Sequence, residues 1–294
     1  MGFTINTNTA ATNAYRNLNI NQNAQAKSLE KLSSGLRINR AADDAAGLAI
    51  SEGLKNQVSG MTVAARNAQD GISVIQTAEG ALTEVHSILN RVRDLAVQAG
   101  NDSNNADSRA AIQTEVTALG EELTRIGNST NFNGIDLLKS TTEETSTPKT
   151  LTFQIGAGGV AGNDQIDVNL VDVAAIGRAV TLLAGTPADG DTAATGGFVS
   201  AAKALETIVA LDEDIKTIST ARSDLGASQN RLESVTKSLN VSIENLSAAK
   251  SRITDTDMAV EMASFTRSQI LSQAGTAMLA QANQMNSGVM QLLQ

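Results

Sequence analysis

Few residues in this chain have the types and spacing that chemistry requires. His86 is the single histidine and cysteine is absent. A metal or acid–base role needs clustered partners, such as a second His or a Cys three or four residues further along the same helical face. His86 instead lies beside Leu82 and Leu89 with neither, so it reads as a helix histidine rather than a ligand. The run Gly156-Ala157-Gly158-Gly159-Val160-Ala161-Gly162 superficially fits a dinucleotide fingerprint. That fingerprint needs a helix after the glycines, whose N-terminus would hold the pyrophosphate. Asn163-Asp164 and an alternating strand follow instead, so the run reads as a hairpin loop. Asp43-Asp44 and Glu121-Glu122 are paired acids, but general acid–base work needs a cleft and shifted pKa values. Helix capping and solvated helix faces explain them. With one histidine and no nucleophile elbow, no Ser–His–Asp set is arguable, and the chain does not read as an enzyme. No cofactor is expected.

The elements that would position any site are helices of unusual length. Every seventh residue from Leu211 is Leu or Ile: Leu211, Ile218, Leu225, Leu232, Leu239, Leu246 and Ile253. No proline interrupts Ala204–Ile253, and its one glycine is Gly226. That is a long helix with a coiled-coil-like seam, which needs partner helices of similar length. Arg222, Gln229 and Thr236 lie in the same seam, where they cost stability unless partnered.

Composition agrees. Aromatics make up 2% of 294 residues, with no Trp and one Tyr, which suits thin helix packing better than a thick globular core. The net charge of −9 without a basic block argues against nucleic acid. No uninterrupted apolar stretch reaches the ~18 residues of a membrane span. The first residues lack the basic and apolar regions of a cleavable secretory signal.

Along the chain, residues 4–33 carry a partly polar lattice of Ala11, Tyr15, Leu18, Gln22, Gln25, Leu29 and Leu32, stopped at Ser33-Ser34-Gly35. Asp43 or Asp44 is placed to cap the next helix, about Ala45–Ala99. That helix has two apolar stripes, one through Val85, Val92 and Leu95 and one through Ile75, Leu82 and Leu89, making the broad face of a bundle member. Gly100-Asn101 stops it, Asp107 or Ser108 is placed to cap a third helix, and Gly127-Asn128 ends that one. Helices two and three should pack antiparallel, and Asn133-Gly134 marks a tight turn. LTFQI and QIDVNL alternate around the Gly-rich run and predict a β-hairpin. AGTPADGDTAATGG reads as a surface loop. After the long helix, Thr254-Asp255-Thr256-Asp257 re-caps the chain. A last helix carries Met258, Met262, Phe265, Leu271, Ala274, Met278 and Met285. The expected fold is mainly α: a long antiparallel helical rod of paired N- and C-terminal segments, with a small β-hairpin region in the middle.

Several of these stretches, in this order, resemble the signatures of bacterial flagellins. They include Leu32-Ser33-Ser34-Gly35-Leu36-Arg37-Ile38-Asn39, Asp43-Asp44-Ala45-Ala46-Gly47-Leu48-Ala49-Ile50, and Arg66-Asn67-Ala68-Gln69-Asp70-Gly71-Ile72-Ser73. Asn131-Phe132-Asn133-Gly134, Ala221-Arg222-Ser223-Asp224-Leu225-Gly226 and Gln281-Ala282-Asn283-Gln284 continue the match. The resemblance implies the subunit that polymerises into the extracellular flagellar filament for motility. It implies a terminal coiled-coil domain from 1–42 with 255–294 and an inner helical bundle with the hairpin from 43–180 with 200–254. A short loop, 181–199, would stand in place of outer domains. Export would pass through the flagellar type III apparatus without a cleaved signal. The implied partners are copies of the chain, an export chaperone, and cap and junction proteins.

The assembly residues expected on the terminal helices are Leu18, Leu29, Leu32, Met262, Phe265, Leu271, Met278, Leu292 and Leu293. Alone, those helices bury too little to offset ordering entropy, so they should order when neighbouring copies cover them. The resemblance also implies recognition by a host Toll-like receptor through Arg91, Leu95 and Glu115. A hook–filament junction protein or a helical-hairpin signalling rod are the alternatives.

Overall fold

A computed structural model describes residues 8–139, 149–185 and 196–291, with side chains to 284. The protein is mainly α. Its described elements are α1 (Thr9–Ser34), α2 (Ala45–Ala99), α3 (Ala106–Ser129), β1 (Asn131–Phe132), β2 (Ile135–Asp136), β3 (Lys149–Gln154), α4 (Ala161–Asp164), β4 (Gln165–Leu170), α5 (Val173–Ala184), α6 (Ala201–Thr254) and α7 (Met258–Gln291). They fall into two compact units, Met1–Val58 with Glu244–Gln294, and Ser59–Ile243. Helices α2 and α6 contribute to both.

In the inner unit, α2 and α6 run antiparallel, as the pairs Arg93–Asp212 and Arg222–Glu79 show. Both apolar stripes of α2 enter one core, with Ile75, Leu82, Leu89 and Val92 facing Leu211, Ile218, Leu225 and Leu232 from the seam of α6. The remaining seam residues Leu239, Leu246 and Ile253 are half-buried. The expected β-hairpin forms, with β3 and β4 antiparallel and Phe153 opposite Ile166. Strand β4 alternates strictly: Ile166, Val168 and Leu170 are buried, and Gln165, Asp167 and Asn169 are exposed. On the exposed face the Thr152 hydroxyl donates to Asp167 at 2.7 Å and Thr150 to Asn169 at 2.9 Å. The Asn133-Gly134 turn is also present, both residues taking the left-handed φ that a two-residue hairpin turn demands (51° and 77°).

Three local expectations change. The third helix is capped by Asn105, whose side chain accepts from Ser108 N, rather than by Asp107 or Ser108. It also runs past Gly127 to Ser129, because Gly127 is a packing residue and not a stop. And α5 forms between QIDVNL and the loop beginning at Ala184, where no element was expected. Asp172 caps it, and it packs on α3 through glycines. A Cβ on Gly127 would stand 2.6 Å from Ala174 N, and one on Gly177 2.6 Å from Thr124 N. The two backbones therefore come into contact at each of these glycines. Most of the expected loop between Ala184 and Gly197 lies outside the described residues.

Candidate assembly surface

The catalytic candidates resolve into structural roles. His86 is half-buried on α2. In the Gly-rich loop, the Asp164 carboxylate accepts from Val160 N at 2.9 Å and Gly158 N at 3.3 Å. The amides that would cradle a phosphate are thus occupied by the chain's own anion. Asp44 caps α2 by accepting from Gly47 N at 2.9 Å. Asp43 accepts from the amides of Asn39 and Arg40 and pairs with Lys27 at 3.0 Å, and the Lys27 ammonium leads the effects that hold its carboxyl below the usual range. Glu122 pairs with Arg125 on the surface of α3. Among the described residues no three His, Asp or Glu side chains gather as a metal site, and no helix is long and apolar enough to cross a membrane.

Within the outer unit, the two connectors α1–α2 and α6–α7 are tied together. Gly35 ends α1 in the left-handed conformation, φ 72°, with its N–H on Lys31 O. Leu36 then bridges Asp255 as a single antiparallel pair. Arg37 N donates to Thr254 O at 2.6 Å, and Thr256 N to Gly35 O at 3.0 Å. Asp255 accepts from the Ser251 and Thr254 hydroxyls, which lower its pKa. Asp257 caps α7 through Ala259 N at 2.9 Å.

Beyond this joint, α1 and α7 pair antiparallel. Asn8, the cap of α1, also donates from Nδ2 to Ala282 O at 3.0 Å, and Lys31 lies 3.9 Å from Glu261 at the other end. Apart from Leu18, Leu32, Phe265 and Leu279, the surface they share is made of small or polar residues. Ala14, Leu18, Asn21, Gln25 and Ser28 of α1 are wholly or half-buried, as are Ser264, Ser268, Ser272 and Gly275 of α7. Leu18 is 9% exposed, and a Cβ on Gly275 would stand 3.4 Å from its Cδ1. Small residues let the helices approach closely.

The expected α1 lattice shares Ala11, Leu18 and Gln25 with this seam, but its other flank is turned outward. Tyr15 is 58% and Leu29 56% exposed. Most large apolar groups of α7 also face out: Met262 is 49%, Leu271 46% and Met278 65% exposed, with Val260 and Ile270 beside them. Leu32 and Phe265 are half-buried. Leu292 and Leu293 lie outside the described residues. Among the described residues the pair thus buries mostly small side chains, with Leu18 the one large side chain fully buried, and displays most of its large ones, unlike a self-sufficient helical hairpin.

The receptor candidates separate. Arg91 Nη2 meets Glu115 Oε1 at 2.7 Å across the exposed α2–α3 edge. Leu95 is 2% exposed and belongs to the core.

The family model of the bacterial flagellin N-terminal helical region matches residues 5–143, and that of the C-terminal helical region matches 208–293. A flagellin of Halalkalibacterium halodurans is 49% identical over 290 residues, 98% of this chain and 99% of that protein. The chain belongs to the bacterial flagellin family. A Bacillus subtilis flagellin is likewise 49% identical, over 98% of this chain and 99% of its own. A flagellar filament core protein of Treponema maltophilum is 42% identical over 99% of each chain. The crystal structure of Bacillus cereus flagellin superposes with a TM-score of 0.45 at 28% identity, covering 59% of this chain and 88% of that one. As a flagellin, the protein is a structural subunit of the flagellar filament, a self-polymerising assembly.

Proposed function

We propose that the α1–α7 pair is the polymerising element of this flagellin and that neighbouring copies cover its outer face. The supporting observation is the outward display of Tyr15, Leu29, Met262, Leu271 and Met278 from a pair whose own seam is mostly small and polar. Each large apolar side chain moved out of water contributes roughly 1.5–3 kcal/mol. A few per subunit are enough to hold a polymer without covalent links. In this reading residues 1–42 with 255–294 form the terminal domain, 43–180 with 200–254 the inner bundle, and 181–199 stands where outer domains would be inserted. Leu18, Leu32, Phe265, Leu292 and Leu293 complete the set of assembly residues. Substituting Leu271→Asn with Met278→Asn tests this. Seeded polymerisation should fail while the inner bundle keeps its helical circular dichroism, and normal assembly would overturn the reading. In the free subunit the terminal helices exchange their amide hydrogens rapidly, and assembly slows that exchange.

Export proceeds without a cleaved signal, in the company of an export chaperone, and cap and junction proteins meet the same terminal helices. Host Toll-like receptor recognition uses the exposed Arg91–Glu115 edge, with Leu95 supporting it from beneath. Arg91→Ala should reduce receptor signalling and leave inner-bundle stability within about 0.5 kcal/mol, as expected of an exposed ion pair.

A further inference from the structure

The chain contains seven methionines, and none of the buried core positions among the described residues is one of them. Leu, Ile, Val, Ala and one Phe build the core. Three methionines instead stand at exposed positions of α7. Met258 and Met262 lie one turn apart, and Met278 follows on the other flank of the helix, about 160° round from Met262, with the three residues 49%, 49% and 65% exposed. The described methionine of the inner unit, Met61 on α2, is half-buried. A thioether is flexible and polarisable, and it fits contacts of differing shape. It is also the readily oxidised apolar side chain. Conversion to the sulfoxide adds a strong acceptor that needs a donor when buried.

We propose that Met258, Met262 and Met278 are peroxide-sensitive positions that make the free subunit assembly-competent only in its reduced form. The inference rests on the reading that neighbouring copies cover the outer face of the α1–α7 pair, on both flanks of α7. Each thioether sulfur takes one oxygen atom from a hydroperoxide. With hydrogen peroxide the O–O bond breaks, an S–O bond forms, the sulfur is oxidised by two electrons and water leaves. The product is polar where assembly requires apolar surface. Once copies cover the face, the same sulfurs are shielded from the oxidant. The free subunit is therefore vulnerable and the polymer is not.

The test uses the full chain, as free subunits and as filaments, exposed to the same mild hydrogen peroxide. Peptide mass spectrometry reads the sulfoxide at each methionine, and sedimentation reads the critical concentration for seeded assembly. In free subunits Met258, Met262 and Met278 should oxidise before Met61, and the critical concentration should rise by at least about tenfold. Methionine sulfoxide reductases with a thiol reductant should restore it. A chain carrying Met258→Leu, Met262→Leu and Met278→Leu should assemble after peroxide as it does before. Reductase rescue reads the same chemistry on the unsubstituted chain, so the result does not depend on how the variant packs. If the three sites are shielded in filaments yet oxidised subunits assemble normally, the redox proposal fails and the assembly reading stands. If they oxidise equally fast in filaments, neighbouring copies do not cover this face, and both fail. Loss of assembly in the leucine variant after peroxide would place the sensitivity at other methionines and overturn the proposal.

Discussion

Arg37 grips the backbone carbonyl of Ile253 with two donors, Nη2 at 2.7 Å and Nε at 3.2 Å. That carbonyl belongs to the last turn of α6, where unpaired acceptors and the negative end of the helix dipole collect. A cation from one connector thus closes the helix that leads into the other. Arg37→Ala should cost about 1 kcal/mol, the scale of one exposed charge-assisted hydrogen bond. The check is amide exchange at Asp255 and Thr256, which should quicken while exchange in α3 stays as it was. Arg37→Lys should restore only part of the protection, since one ammonium cannot reproduce the fork.

The α3–α5 contact should be the least forgiving surface of the inner unit. A methyl on Gly177 lands 2.6 Å from a backbone nitrogen of α3, where no flexible side chain can yield. Gly177→Ala should destabilise the inner unit by roughly 1–3 kcal/mol, despite alanine's better helix propensity. Urea unfolding followed by circular dichroism measures this. Gly226→Ala in α6, where an added Cβ meets nothing within 4 Å, is the control and should stabilise by up to about 1 kcal/mol.

The carboxylates predict pH effects of opposite sign. Asp43 has a folded pKa depressed mainly by Lys27, and Asp255 one depressed by two hydroxyls. Their contributions are present above the unfolded pKa and are lost as pH falls through the folded one. Exchange at the Asn39 and Arg40 amides should therefore quicken only below about pH 4, and Asp43→Asn should make it quick at pH 7. Asp214 is the reverse case: burial first, and then Glu213, push its carboxyl up. A raised acid destabilises the fold once pH exceeds its unfolded value. Asp214→Asn should raise the melting temperature at pH 7, and the gain should vanish below about pH 4.

Charge is divided unevenly between the two units. Residues 59–243 carry 13 basic against 23 acidic side chains, while the outer unit carries 9 against 8. Packing many acidic inner units side by side is opposed by like-charge repulsion, which salt screens over about 10 Å at 0.1 M. The critical concentration for polymerisation should fall as sodium chloride rises from about 0.05 to 0.5 M. Sedimentation measures it, and Glu121→Lys with Asp224→Lys should flatten the dependence.

The seven-residue repeat determined by itself that α6 is one long helix, that α2 is its equal in length, and that both face a shared core. Leu211, Ile218, Leu225 and Leu232 behave as their spacing requires, because a period near 3.5 fixes which side of a helix is apolar whatever lies opposite. The alternation of QIDVNL and the pair Asn133-Gly134 were equally decisive, being local rules of pleat and turn. The same periodicity places Leu95 in the core beside Val92, where it is indeed buried, so its expected role as a surface contact does not follow from the helix on which it sits.

Tertiary structure alone decided what depends on which surface a neighbour chooses. In α1 the lattice through Tyr15, Gln22 and Leu29 and the one through Ala14, Asn21 and Ser28 differ by a single position. Hydrophobicity favours the first, yet the seam takes the second, because α7 offers Ser268, Ser272 and Gly275 and small residues on both sides permit close approach. Helix α5 was hidden for a related reason. Its glycine looks like a weakness until Gly120 and Thr124 are brought opposite it, and that meeting of residues more than fifty positions apart is visible only in three dimensions.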